Sequence, residues 1–491
     1  MRQNFKRFAV LLLTAVLCLG LFPMAASADG LPYDTYNYDY WENIVHTPAA
    51  YVPDTSISGV SLGIGDFVTP QDVCIAPDGD LYIADTGNNR IVVVDDATRT
   101  VSKIVTSFNN NGTEDTFNAP YGVCVSENGQ LYVADKENQR IVVLELDGTL
   151  VKIVSDPQSD VLEAGFVFKP LKVTVDYADR IYCIAQNMYQ GIMVFESEGN
   201  FTGFFGTINV QLSLWEKFWK RIATKEERKN QQLYVATEFT GLDIDSDGFV
   251  YATNIDELGE QAVRRLNPRG EDVIRKGENE NVGGDLWIEG SGDYAGASQI
   301  TDVVYRENGI YSLLDRKRGR VFTYDHEGNL LYIFGGKGSQ EGTFNTPIAI
   351  EQWGDKLLVL DAHKGSIFVF SPTEYGSLIN EAVALRYDGD EALAVPLWER
   401  VLELDENNEL ANTGIGKAYL SAGDNVKAME YLEMGMNREY YSVALKRYRS
   451  DLLRQYMGPV LTAITCVVVA IVLFLKIRER ILWKRERSEG K

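Results

Sequence analysis

The segment LYIADTGNNRIVVV at residues 81–94 returns as LYVADKENQRIVVL at 131–144, an offset of 50 with nine of fourteen positions identical. A period that long, filled with strand-type runs, leaves few folds open. Each repeat is a small sheet that cannot bury its own faces and must stack against copies of itself. Each copy reads as a proline, a short apolar strand, a turn, a Leu-Tyr-Ile/Val-Ala-Asp strand, a polar loop ending in Arg, and an Ile-Val-Val strand. Inner strands with this entry pattern recur at 71–76, 121–126, 171–176, 240–245, 300–305 and 347–352, each followed by a turn and two more strand-type runs. That spacing predicts six blades.

The repeat resembles the NHL repeat, the unit of a β-propeller family, and the resemblance covers about 57–371. It implies an all-β six-bladed propeller. No fourth strand follows Ser371, whereas 56–70 parallels 330–347, so the N-terminal strand at 56–62 is expected to complete blade six and close the ring. A helical insertion is expected at 208–236, where Trp215, Phe218, Trp219 and Ile222 share one helical face. The run YDTYNYDYW at 33–41 reads as extended and is expected to pack on blade six, with sugar stacking as the alternative.

The ends predict export and anchoring. Arg2, Lys6 and Arg7 precede an apolar run to Phe22, and Ala26-Ser27-Ala28 fits a cleavage site, so residues 1–28 read as a signal peptide and 29–56 as an N-terminal extension. Cys18 lacks the small residues a lipid-anchor site needs before it. Residues 458–475 carry no charge, enough at ~1.5 Å per residue to cross most of a ~30 Å hydrocarbon core. We therefore place a transmembrane helix at 457–475 and a basic cytoplasmic tail at 476–491, in a single-pass cell-membrane protein with its N-terminal domains outside. Between propeller and membrane, residues 372–456 switch to a helical period. Ala382, Leu385, Ala394 and Trp398 align with Gly416, Tyr419, Ala428 and Leu432 at an offset of 34. This resembles the tetratricopeptide repeat and implies a short α-helical neck.

The net charge of −23 understates the acidity of the middle, since leader and tail are both basic; residues 29–457 carry −30. Such a surface does not suit nucleic acid. Cys74, Cys124 and Cys183 fall in apolar strand slots and read as buried small residues, with a Cys74–Cys124 bridge left open. Only His46, His326 and His363 are present, and none recurs from blade to blade, so no catalytic metal or other cofactor is expected. Asp243, Asp245 and Asp247 match half of a calcium loop, but Asn254 stands where the closing Glu belongs, so a hairpin turn is the favoured reading. Asp85, Arg90, Asp135 and Arg140 recur and are expected to brace loops.

Residues at the starts of inner strands, Gln71, Asp72, Tyr121, Lys172, Thr240, Thr301 and Asp302, with His363 in a blade-six loop, are the candidates for a small polar or carbohydrate ligand at the channel mouth. Trp215, Phe218, Trp219 and Ile222 are the candidates for a partner or membrane surface, with packing of that face against the propeller rim as the favoured alternative. No catalytic residues are assigned. The expected function is a non-enzymatic cell-surface scaffold acting beside membrane partners such as a transporter or envelope complex. The alternative is a lactonase- or lyase-type propeller enzyme acting on a small extracellular substrate.

Overall fold

The structure is a computed structural model that describes residues 30–162, 165–207, 238–256, 261–277, 282–286 and 295–489. The expected leader and the 208–236 insertion, with Trp215, Phe218, Trp219 and Ile222, lie outside the described residues.

Six antiparallel sheets follow one another along the chain. Blade one is built from Asp72–Ile75, Leu81–Asp85, Arg90–Val94 and Val101–Val105, and blade two from Pro120–Val125, Gln130–Asp135, Arg140–Glu145 and Leu150–Ser155. Blades three, four and five begin at Pro170–Val175, Phe239–Ile244 and Ile300–Arg306, and blade six at Pro347–Trp353. The burial pattern follows position in the blade. Leu81–Asp85 is buried at all five residues because both faces of this second strand meet neighbouring blades. The outer strand Val101–Val105 alternates half-buried and exposed, the period of a one-sided strand. Blade four has three strands among the described residues.

The ring closes with the N-terminal strand. Tyr51–Ser58 pairs antiparallel with Ser366–Pro372, with Ile57 opposite Ile367 and Tyr51 opposite Pro372. The strand begins at Tyr51, ahead of the expected 56–62 segment, and shares Ser56, Ile57 and Ser58 with it. It stops at Ser58 because Gly59 comes so close to the Gly65 carbonyl that a Cβ would sit 1.9 Å away. Gly63 and Gly65 then turn the chain with positive φ. Tyr51 is fully buried and stacks on Phe334, ring centroids 5.2 Å apart.

The tyrosine-rich segment packs on blade five, not on blade six as expected. The hairpin Tyr36–Tyr38/Ile44–His46 lies beside the outer strand Leu330–Phe334, where Asn37 Nδ2 donates to the Leu330 and Leu331 carbonyls. The anchor is Asp285, which binds Tyr38 and pairs with Arg318 and Arg320. Arg320 in turn covers the Tyr36 ring. Tyr36 is 2% exposed, so its face is closed to a sugar.

Five α-helices follow: α1 Glu374–Tyr387, α2 Glu391–Leu404, α3 Glu409–Ala422, α4 Asn425–Met434 and α5 Arg438–Glu489. The chain divides into two compact units at Asp388/Gly389, so α1 belongs with the propeller. Within the second unit, Trp398 is buried against Gly414, where a Cβ would lie 2.4 Å from the indole nitrogen. Leu420, Ala428, Leu432 and Ala444 form a small core. α5 is 52 residues long, and its apolar stretch is long enough to cross a membrane.

Closure predicts a specific failure. Deleting residues 30–58 leaves Ser366–Pro372 as an open edge, and the melting temperature should drop by about 10 °C or more with aggregation. A melting curve like that of the intact chain contradicts the closed ring.

Candidate functional site

Three alternate blades meet at one ammonium group. Lys172 of blade three lies 2.6 Å from Asp72 of blade one and 3.1 Å from Asp302 of blade five. In a six-bladed ring, side chains from blades one, three and five converge only on the axis, so this bridge marks the channel.

Strand register shows how the sequence puts them there. Asp72, Lys172, Gly241, Asp302 and Ala349 pair with Ala84, Ile184, Thr253, Leu314 and Leu360, equivalent positions on the second strands. Gly122 fills the same slot in blade two. Two of these positions must be glycine. A Cβ at Gly122 would be 2.5 Å from the Leu171 carbonyl oxygen, and one at Gly241 would be 2.6 Å from the Asp302 Cα. Two residues on, a second tier reads Cys74, Cys124, Thr174, Asp243, Val304 and Glu351.

The axial acids also bind backbone. The strand nearest the axis has an edge with no further strand to pair with, and its N–H groups need acceptors. Asp72 Oδ2 accepts from Val123 N of the next blade at 3.0 Å, Asp302 Oδ2 from Ile350 N at 3.0 Å, and Asp243 Oδ2 from Tyr305 N at 2.5 Å. Cys74 Sγ accepts from Val125 N at 3.4 Å. These side chains stitch blade one to two, four to five and five to six.

Four carboxylates share one lysine. Burial opposes the Lys172 ammonium, but Asp302 and Asp72 outweigh it and hold its pKa above the usual lysine value. Burial raises Asp72, with Lys172 pulling the other way. Burial pushes Asp302 up to about 6 against Lys172, and Asp243 up to about 7 against its backbone hydrogen bonds. Glu351 is raised well above the ordinary range by burial and then by Asp243. Burial thus raises the carboxylates of both tiers, and only those of the first pair with the lysine.

The remaining sequence candidates sit around this cluster. Thr240 Oγ1 donates to the Ile300 carbonyl at 3.0 Å, and Thr301 Oγ1 to that of Leu314. Gln71 Nε2 donates to the Thr69 carbonyl. Tyr121 lies half-buried with Lys136 Nζ 4.8 Å above its ring. His363 is exposed in its loop, where its backbone N–H donates to Asp361, and it does not join the axis. The half calcium loop comes apart. Asp243 is axial, Asp245 accepts from the Asp247 and Phe249 amides and pairs with Arg265 at 2.6 Å, and Asp247 is exposed. Among the described residues no group of three His, Cys, Asp or Glu is placed to hold a metal ion. Sequence reasoning missed Asp243 and Glu351 as axial groups. The two-residue alternation from Gly241 and Ala349 was the available signal.

The recurring Asp–Arg pairs are braces. Asp85 Oδ1 accepts from Val68 N while Oδ2 binds Asn88 and Arg90, and Arg90 reaches the Ile64 carbonyl. Asp135, Asn138 and Arg140 repeat the arrangement on Asn118 and Thr116.

Residues 67–94 and 117–144 match the NHL repeat family. No curated protein sequence matches the chain. Solved structures similar to it include virginiamycin B lyase from Staphylococcus aureus (11% identity, TM-score 0.41, covering 66% of this chain and 100% of that one). Hydrazine synthase from Kuenenia stuttgartiensis is also similar (11% identity, TM-score 0.38, covering 63% and 97%). The chain thus carries NHL repeats on a six-bladed propeller, a fold commonly used for protein–protein interaction.

Two predictions concern the axis. Lys172→Met leaves Asp72 and Asp302 buried without a cation and should cost about 3–5 kcal/mol in denaturant unfolding, with partial recovery when both acids become Asn. A loss below roughly 1 kcal/mol contradicts the bridge. The second concerns pH. Asp243 binds its proton more tightly folded than unfolded, so its contribution is complete below the ordinary carboxylate pKa of 3.8 and is lost as pH rises through about 7. Between pH 4 and 8 the wild type should therefore lose more stability than Asp243→Asn. Parallel pH curves contradict the assignment.

Proposed function

We propose that this chain is a non-enzymatic cell-surface binding scaffold. The propeller is its recognition module, the helical segment a tetratricopeptide-like neck, and residues 457–475 its single span, with the N-terminal domains outside and 476–491 in the cytoplasm. The observation that carries this reading is the state of the axis. Lys172, Asp72, Asp302 and Asp243 are engaged with one another or with backbone amides. A lactonase or lyase reading needs axial groups available to substrate, and here the polar axis holds blades together. Recognition then falls to the outer surface and the loops.

The apolar part of α5 supports the anchor. Leu461, Val469, Ile471, Leu473 and Phe474 lie on different sides of the helix, and each is about half exposed or more. A helix apolar all round belongs in lipid. Basic residues flank the stretch at Arg449 and Arg454 before it and at Lys476, Arg478 and Arg480 after it.

We assign partner docking to Trp215, Phe218, Trp219 and Ile222, because buried aromatics dominate interface energies at roughly 2 kcal/mol or more each. The test is in-cell crosslinking of full-length protein with Trp215→Ala and Trp219→Ala together. The expected result is loss of the crosslinked protein partner at an unchanged melting temperature. A collapse in stability makes the segment part of the fold's interior, and undiminished crosslinks move the docking surface elsewhere; either overturns this assignment.

A further inference from the structure

Several packed arginines in the propeller end on carboxylates. Arg318 pairs with Asp285 and Asp315, Arg386 with Asp325 and Glu327, Arg140 with Asp115 and Asp135, and Arg90 with Asp85. Arg306, only 6% exposed, does not, and neither does Arg264, 8% exposed, which donates to Gln261 Oε1 instead. One terminal nitrogen of Arg306 donates to Tyr332 Oη at 2.7 Å and the other to Tyr51 Oη at 2.5 Å, and its Nε–H has no acceptor. Among the described residues no carboxylate lies within ion-pair distance of it. A guanidinium buried without a counter-charge is costly and marks a place where an anion is missing.

The phenols do not supply that charge. Tyr332 Oη donates to Asn380 Oδ1 at 2.7 Å, Asn380 Nδ2 donates to Tyr51 Oη at 3.2 Å, and Tyr51 Oη donates to the Asp355 carbonyl at 3.2 Å. Burial also raises the Tyr51 hydroxyl pKa. The hydrogen bonds among the two phenols and Asn380 thus close without a carboxylate.

Arg306 forms part of the wall of a cavity of about 320 Å³, bounded by the first turns of blades five and six and by α1. Glu307, Asp355 and Glu381 line the same cavity; all three are exposed, and none has an ion-pair partner among the described residues. The cavity is therefore dipolar, with one buried cation in its wall and three carboxylates toward solvent. A plain anion would meet the acids on entry, and a plain cation would meet the arginine at the end.

We propose that this cavity binds a small zwitterion of the α-amino-acid type, its carboxylate on Arg306 and its ammonium among Glu307, Asp355 and Glu381. The site is distinct from the axis and goes beyond the scaffold reading; it fails or stands whether or not the docking segment binds a protein.

The experiment is calorimetric titration of full-length protein in detergent. The probes are glycine, L-alanine, L-glutamine and glycine betaine, with acetate and methylammonium as single-charge controls at matched ionic strength. At least one zwitterion should saturate with a dissociation constant below about 10 mM and bind about tenfold or more tightly than either control. Arg306→Met should weaken it about 30-fold or more. Should that variant misfold, Glu307→Gln with Glu381→Gln, at two exposed positions, should weaken the zwitterion about fivefold or more while leaving the melting temperature unchanged. No saturable zwitterion, equal binding of acetate or methylammonium, or undiminished binding in the folded variants overturns the proposal.

Discussion

A sheet has two edges, and a propeller must deal with both in every blade. The outer rim is completed when Tyr51–Ser58 returns from the N-terminus to pair with Ser366–Pro372, so the last blade gains its fourth strand from the first part of the chain. The inner rim cannot be closed by another strand because six blades converge there. Side chains do it instead. Asp72, Asp243, Asp302 and Cys74 each accept a backbone N–H from the following blade. An unpaired buried amide costs about 1–3 kcal/mol, so these four acceptors are a substantial part of what keeps blades in register.

Buried acceptors bring a charge problem. Carboxylates satisfy amides well but repel one another, and Lys172 reaches only Asp72 and Asp302. In the second tier no carboxylate pairs with that lysine, and burial raises Asp243 and Glu351 above the ordinary carboxylate range. The same residues that resemble a polar ligand site in one dimension thus brace the architecture in three, with Asp302 Oδ1 left without a hydrogen bond. The cavity beside Arg306 brings together a buried cation without a carboxylate and three exposed carboxylates without an ion pair among the described residues.

Much of this was legible in the sequence. The 50-residue echo gave blades one and two, and the absence of a strand after Ser371 pointed to closure from the N-terminus. Asp85, Arg90, Asp135 and Arg140 were readable as braces because they recur where a loop must be held. Asp72, Lys172 and Asp302 were identified as channel residues from their place at inner-strand starts, but not as a bridge. That pairing depends on blades 100 and 130 residues apart meeting on an axis. The tyrosine segment was assigned to the wrong blade because its anchor, Asp285, sits in an irregular loop with no repeat signal. Arg306 carried no signal at all: it is simply the last residue of the strand Ile300–Arg306, and only the fold shows that it pairs with no carboxylate.

The central claim is that axial side chains complete the inner edge of the ring. Residue-resolved hydrogen exchange on the full-length protein tests it most directly. The amides of Val123, Tyr305 and Ile350 should exchange as slowly as those of the central strand Leu81–Asp85, opening only when the ring opens. Exchange of these three at the rate of surface turns, with the central strands still protected, would contradict it.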